Sequence, residues 1–142
     1  MRALLDVNVL IALLDAAHIH HQRASQWLEQ SLHHGWASCP LTQNGCLCIM
    51  AQPAYPQALP LAAVAQRLGQ AAATPAHLFI ADDYSLLDAD SLHWPQLLGH
   101  RQVTDAYLLG LAVRHGCRFV SFDARVNLAA VPGAKAEHLW VL

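Results

Sequence analysis

Arg2-Ala3-Leu4-Leu5-Asp6-Val7-Asn8-Val9-Leu10-Ile11-Ala12-Leu13-Leu14 opens the chain with two periodicities in thirteen residues. Residues 2–5 are a short apolar run of strand type, and Asp6-Val7-Asn8 ends it. Val9, Leu10, Leu13 and Leu14 then recur with helical spacing. Asp6 therefore stands where a strand hands over to a helix.

The alternation continues along the chain. A helix is expected over residues 18–34, with Ala24, Trp27, Leu28 and Leu32 on one face and Gly35 as its stop. Trp36 to Cys39 reads as a second strand, broken by Pro40. Thr42 is then the expected N-cap of a helix running to about Met50, with Gln43 in its first turn. Pro53, Pro56 and Pro60 punctuate the connection to an Ala/Leu-rich helix ending near Ala73, and His77 to Ile80 forms a third strand. The Asp-rich stretch Asp82 to Asp90 is expected to be a loop with a short helix. Thr104 is expected to N-cap a long helix ending at Gly116, before a strand Arg118 to Phe122 and a last strand His138 to Val141. Strands alternating with helices, without a hairpin signal, predict an α/β fold: a mainly parallel sheet covered on both faces, in one domain over residues 1–142.

Composition narrows the function classes. Hydrophobic residues are 55% of the 142 and charged residues 13%, so some apolar surface is expected to be covered by a partner. The apolar runs are too short to span a membrane, and Asp6, Asn8 and Asp15 interrupt any leader-like segment. A cytoplasmic protein is expected. Net charge is −2 with neutral histidines, so contact with nucleic acid has to be local or metal-assisted. Cys39, Cys46, Cys48 and Cys117 show no metal or disulfide spacing and read as buried free thiols. His18-Ile19-His20-His21 matches no metal motif and reads as solvated helix-start residues, while Trp27 and Trp36 read as core or dimer contacts.

In open α/β sheets, functional groups gather at the carboxyl ends of strands and the N-termini of the helices that follow. Asp6, Gln43, Asp105 and Asp123 all fall at such positions. Carboxylates gathered in one crevice call for a hard divalent cation, and an oxygen-only donor set favours Mg²⁺ or Mn²⁺. A cation so held activates water and steadies a phosphodiester under attack, which makes phosphate-ester hydrolysis the natural reaction class. The same acids also suit capping and turn roles.

Four segments in order, Leu4-Leu5-Asp6-Val7-Asn8-Val9-Leu10, Cys39-Pro40-Leu41-Thr42-Gln43-Asn44-Gly45, Gly99 to Leu109 around Thr104-Asp105, and Ser121-Phe122-Asp123, resemble the successive motifs of PIN domains. The nearest resemblance is to the VapC ribonuclease toxins of bacterial toxin–antitoxin pairs. It implies a three-layer α/β/α sandwich, a Mg²⁺- or Mn²⁺-dependent endoribonuclease, a homodimer and a small VapB-like antitoxin. Carried over by motif, Asp6, Asp105 and Asp123 are the metal-site acids, Asn8 and Thr104 brace the first and third motifs, and Ser121 supports the last. Gln43 stands where many members carry Glu and is expected to complete the metal shell with a weaker ligand. Asp82 or Asp83 is an alternative approach to the crevice. Arg101 and Arg125, with Arg114 and Arg118, are candidates for steering RNA. The RNA implied is a tRNA or rRNA loop.

Two other readings are weighed. A catalytically silent PIN domain acting as a binding module is suggested by Gln43. A phosphoryl-transfer domain with a strand-end aspartate, phosphatase or receiver, needs a lysine near the site, whereas the only lysine, Lys135, lies in a late loop.

Overall fold

The computed structural model describes residues 1–142. Five short strands, β1 (Ala3–Leu5), β2 (Trp36–Ser38), β3 (His77–Phe79), β4 (Arg118–Ser121) and β5 (Leu139–Val141), form one sheet in the order β3-β2-β1-β4-β5. Every pairing is parallel, and Leu4 sits beside Ala37 on one side and Phe119 on the other.

Five α-helices cover the sheet: α1 (Val7–Leu14), α2 (His21–Ser31), α3 (Pro40–Met50), α4 (Leu61–Ala72) and α5 (Val103–Arg114). Successive residues of β1 point to opposite faces, so its three apolar side chains serve two cores. Ala3 and Leu5 join Leu10 of α1, Cys46 and Met50 of α3 and Leu68 of α4. Leu4 joins Phe119 and the buried face of α5, Leu108, Leu109 and Leu111. The result is the expected α/β/α sandwich, with Trp27 and Trp36 packed in the first core.

Several boundaries differ from expectation, each for a local reason. Pro40 starts α3 with its fixed φ, which moves Thr42 from the cap to the third helical position. From there its hydroxyl accepts from the Cys39 amide at 3.0 Å. A 3₁₀ turn, His100–Gln102, leads into α5, so Thr104 is its second residue and not its cap. The helix expected over 18–34 is α2 followed by a 3₁₀ turn, Leu32–His34. Gly35 ends it as expected, at φ 76°. Asp82 to Asp90 holds no helix, and the nearest helical turn is Trp94–Gln96. Cys48 is exposed, unlike the other three thiols, because it lies on the outer face of α3.

Gly110 marks a close approach inside the second core. Tyr84 crosses α5 there, stacked on Tyr107 and donating its hydroxyl to the Tyr107 carbonyl at 2.7 Å, and a Cβ on Gly110 would overlap that hydroxyl. Gly110→Ala is expected to lower stability by about 1–3 kcal/mol, the usual cost of overpacking a filled core. Denaturant melts measure it, and an unchanged midpoint would show that Tyr84 moves aside freely.

Candidate active site

The strand order has a reversal between β1 and β4. The chain runs outward through β2 and β3 on one side, then returns to β4 and β5 on the other. A crevice opens at the carboxyl ends of two strands whose connections diverge in this way. Asp6 follows β1 and Asp123 follows β4, so both acids reach that crevice, and Asp105 reaches it from the first turn of α5. The three carboxylates line one open cavity of about 460 Å³ together with Asn8, His18 and Tyr55.

Ser121 ties two of these acids together. Its buried hydroxyl donates to Asp6 Oδ2 at 2.6 Å and accepts the Asp123 amide at 3.0 Å. The Val7 amide donates to Asp6 Oδ1 at 2.7 Å. These bonds only partly offset the cost of burying the Asp6 carboxylate, and its pKa lies above the usual range. Burial also raises Asp105, with the charges of Asp6 and Asp123 adding to the effect, to about 6. Asp123 moves the other way, to about 2, because Arg125 grips both its oxygens, from Nε at 2.9 Å and Nη2 at 2.7 Å.

Two features suit an added cation. The Asn8 Oδ1 atom is buried and accepts no hydrogen bond, an oxygen without a partner on a residue that lines the crevice. Burial and the neighbouring carboxylate charges disfavour the ionised forms of Asp6 and Asp105, a penalty that a nearby cation would offset. As the side chains stand, no three His, Cys, Asp or Glu groups converge on one point. Both Asp123 oxygens are held instead by Arg125. Asp123 would hold a cation only by exchanging that partner or through a bridging water, a mode Mg²⁺ commonly uses. Asp6, Asp105 and Asn8 thus fit a hard cation, with Asp123 available on release.

Gln43 is not brought to the crevice. It lies on the α3 face toward α4, where Nε2 donates to the Ser38 hydroxyl at 3.0 Å, and that hydroxyl meets His77 Nε2 at 2.8 Å. This places the Gln43 amide on Ser38 and away from the three acids, where the sequence led us to expect it in the metal shell. Gln43→Glu is expected to leave Mn²⁺ affinity and RNA cleavage within about twofold, read by calorimetry and gel assay; a clear gain in either would return Gln43 to the site.

Other candidates also find different partners. Asp82 accepts the Leu41 amide, and Asp83 pairs with His115 at 2.9 Å, so neither approaches the crevice. Thr104 is exposed and not bonded to Asp105. Arg101 lines the crevice from an exposed position, whereas Arg114 lies over Tyr84 and Arg118 over Trp140. His18 and Tyr55 are crevice residues that the sequence did not reveal. His18 was expected to be solvated, but the turn after α1 folds it against the site, and no spacing rule connects either residue to Asp6.

The PIN domain profile matches residues 3–133. The chain belongs to the PIN-domain family. Among its relatives are three Mycobacterium tuberculosis proteins. Ribonuclease VapC44 is 48% identical over the whole of both chains. Ribonuclease VapC38 is 46% identical over 99% of each. Ribonuclease VapC39 is 39% identical over 94% of this chain and 96% of its own. The PIN domain thus spans the crevice and all three acids, and full-length similarity to proteins named as ribonucleases places this chain among the VapC-like members. No helix in it is long and apolar enough to cross a membrane.

Proposed function

We propose that the protein is a divalent-metal-dependent endoribonuclease of VapC type, with Asp6, Asp105 and Asp123 as its metal-site acids. The observation that carries this reading is the meeting of three carboxylates, from positions far apart in sequence, with a partnerless Asn8 oxygen at the switch point of a parallel sheet. A bound Mg²⁺ or Mn²⁺ would supply charge neutralisation and a water of lowered pKa.

The chain's own residues do the rest. Ser121 and the Val7 amide fix the Asp6 carboxylate. Asp105, on rigid α5, places its oxygens at the crevice, where the helix N-terminus favours their negative charge. Arg101 and Arg125 are the exposed cations next to the acids and suit the phosphates flanking the cut. RNA is favoured over DNA by the relatives' names, and a tRNA or rRNA loop suits an open crevice because its backbone is accessible. An RNA substrate of that kind also places the protein in the cytoplasm.

The reading extends to a VapB-like antitoxin and a homodimer. Both are supported by the apolar side chains left exposed on the two edge strands, Leu78 and Phe79 of β3, Trp140 and Val141 of β5. Light scattering of the protein alone and co-expressed with its antitoxin tests both. Cleavage of a mixed tRNA and rRNA pool with Mg²⁺, with Mn²⁺ and with EDTA tests the activity; cutting that persists in EDTA, or no cutting at all, overturns it.

Arg125→Gln is expected to have two opposite effects. Freeing the Asp123 carboxylate strengthens Mn²⁺ binding by a few-fold, in line with the small worth of an exposed ion pair, while loss of a cation weakens RNA binding. Weaker metal binding in this variant would show that Asp123 is not a ligand.

A further inference from the structure

A second cavity, about 380 Å³, adjoins the crevice and shares two walls with it, His18 and Tyr55. Its remaining lining includes Asp15, Ile19, Pro56 and Gln57. That volume is in the range of small-ligand sites.

The walls are fixed. Tyr55 donates its hydroxyl to Asp15 Oδ2, and Asp15 Oδ1 also accepts the Ala17 amide at 2.9 Å. His18 Nδ1 accepts the His20 amide at 3.1 Å, which puts the proton of the neutral ring on Nε2 and leaves it free to donate. Burial lowers the His18 pKa and so favours that neutral ring. Gln57, on the far side, is the one non-glycine residue with positive φ, 58°, in a turn closed by the Ala58 amide donating to the Tyr55 carbonyl at 3.1 Å. Strained backbone of this kind persists where the surroundings hold it and is concentrated at binding sites.

Charge decides what such a cavity admits. Asp15 is held ionised by the Tyr55 hydroxyl, so a phosphate entering the cavity would meet a carboxylate at short range. A neutral, flat group with hydrogen-bond donors on its edge meets two ring walls and an acceptor instead.

We propose that this cavity is a base-recognition subsite, taking one unpaired, amino-bearing base of the nucleotide next to the phosphate held in the crevice. Tyr55 and His18 are its stacking walls, and Asp15 accepts from the amino edge. The inference rests on the nuclease reading, since it needs the RNA chain to pass through the crevice.

The test uses binding and cleavage separately. Single-stranded RNA hexamers with 2-aminopurine moved through each position are titrated into the full chain carrying Asp105→Asn. One position is expected to lose fluorescence several-fold on binding. Tyr55→Leu and His18→Leu, each added singly, abolish that quench and weaken binding by about tenfold, the usual worth of one stacked base. Tyr55→Phe, which keeps the ring, preserves it. Equal quenching at all positions, or a position-specific quench that survives both leucine variants, overturns the subsite. Two independent variants, with melting curves for each, guard against loss of folding. Cleavage by the unsubstituted protein reports on the nuclease reading alone. Cleavage without a position-specific quench overturns only the subsite, neither cleavage nor binding overturns both, and a specific quench without cleavage supports base recognition by a chain bound in the crevice while overturning its cutting.

Discussion

Asp105→Asn is expected to reduce RNA cleavage more than about a hundredfold, beyond the roughly 10- to 100-fold that loss of an outer-shell partner costs a metal site. The substitution is nearly isosteric and sits in the first turn of α5 on a half-buried face, so packing against the sheet is kept. What it removes is a carboxylate already disfavoured by burial and by the charges of Asp6 and Asp123. The metal-free variant is therefore expected to melt no lower than the parent at pH 7. Loss of activity with an equal or higher melting temperature separates a site effect from a folding defect. Residual cleavage within about tenfold of the parent would mean that Asp105 is not part of the metal site.

Proton and metal compete for the same acids, and the sign of that competition is readable. The Asp105 pKa in the folded chain, about 6, lies above its ordinary value of 3.8. The folded protein thus binds the extra proton more tightly than the unfolded chain, and Asp105 contributes stability below pH 3.8 that is lost as pH rises through about 6. Asp6 contributes in the same direction. Asp123, depressed to about 2, acts oppositely and at lower pH, its contribution being present above 3.8 and lost as pH falls toward 2. A cation needs the ionised acids, so Mn²⁺ should raise the melting temperature far more at pH 7.5 than at pH 5. The difference between parent and Asp105→Asn isolates the acid from every other group of the chain. An equal Mn²⁺ increment at the two pH values, or the same increment in Asp105→Asn, would exclude Asp105 as a ligand.

The sequence carried the site where local pattern and topology coincide. Asp6 was legible because an apolar strand and an apolar helix meet at it, and Asp123 because Arg118 to Phe122 reads as a buried strand. Parallel pairing puts both on one edge of the sheet, but that β1 and β4 are neighbours, and that one serine hydroxyl bonds to Asp6 and to the Asp123 amide, came from the structure. Gln43 shows the opposite case. It lies in the first turn of α3 as expected, but α3 begins at Pro40, and that start sets which face each residue takes; Gln43 falls toward Ser38 and His77. Thr42 was misread as a cap because a good capping residue is also a good partner one turn inside a helix, and Thr104 because a 3₁₀ turn, His100–Gln102, already leads into α5 ahead of it. His18 and Tyr55 carried no periodic signal, since turns place them, and turn geometry is set by contacts such as Tyr55 with Asp15 that are distant in sequence.

The centre of the sheet also fixes when activity becomes available during synthesis. β1 is the first strand made and β4 the fourth, yet they are neighbours, with Ala3 beside Arg118 and Leu5 beside Val120. A nascent chain that has completed β1, β2 and β3 has Asp6 in place but lacks Asp105, Ser121 and Asp123, and its central strand is still an open edge. The crevice cannot form until α5, β4 and Asp123 have been made. On the proposed reading, a nuclease built in this order would be inert toward the ribosome producing it until Asp123, just beyond β4, has been made.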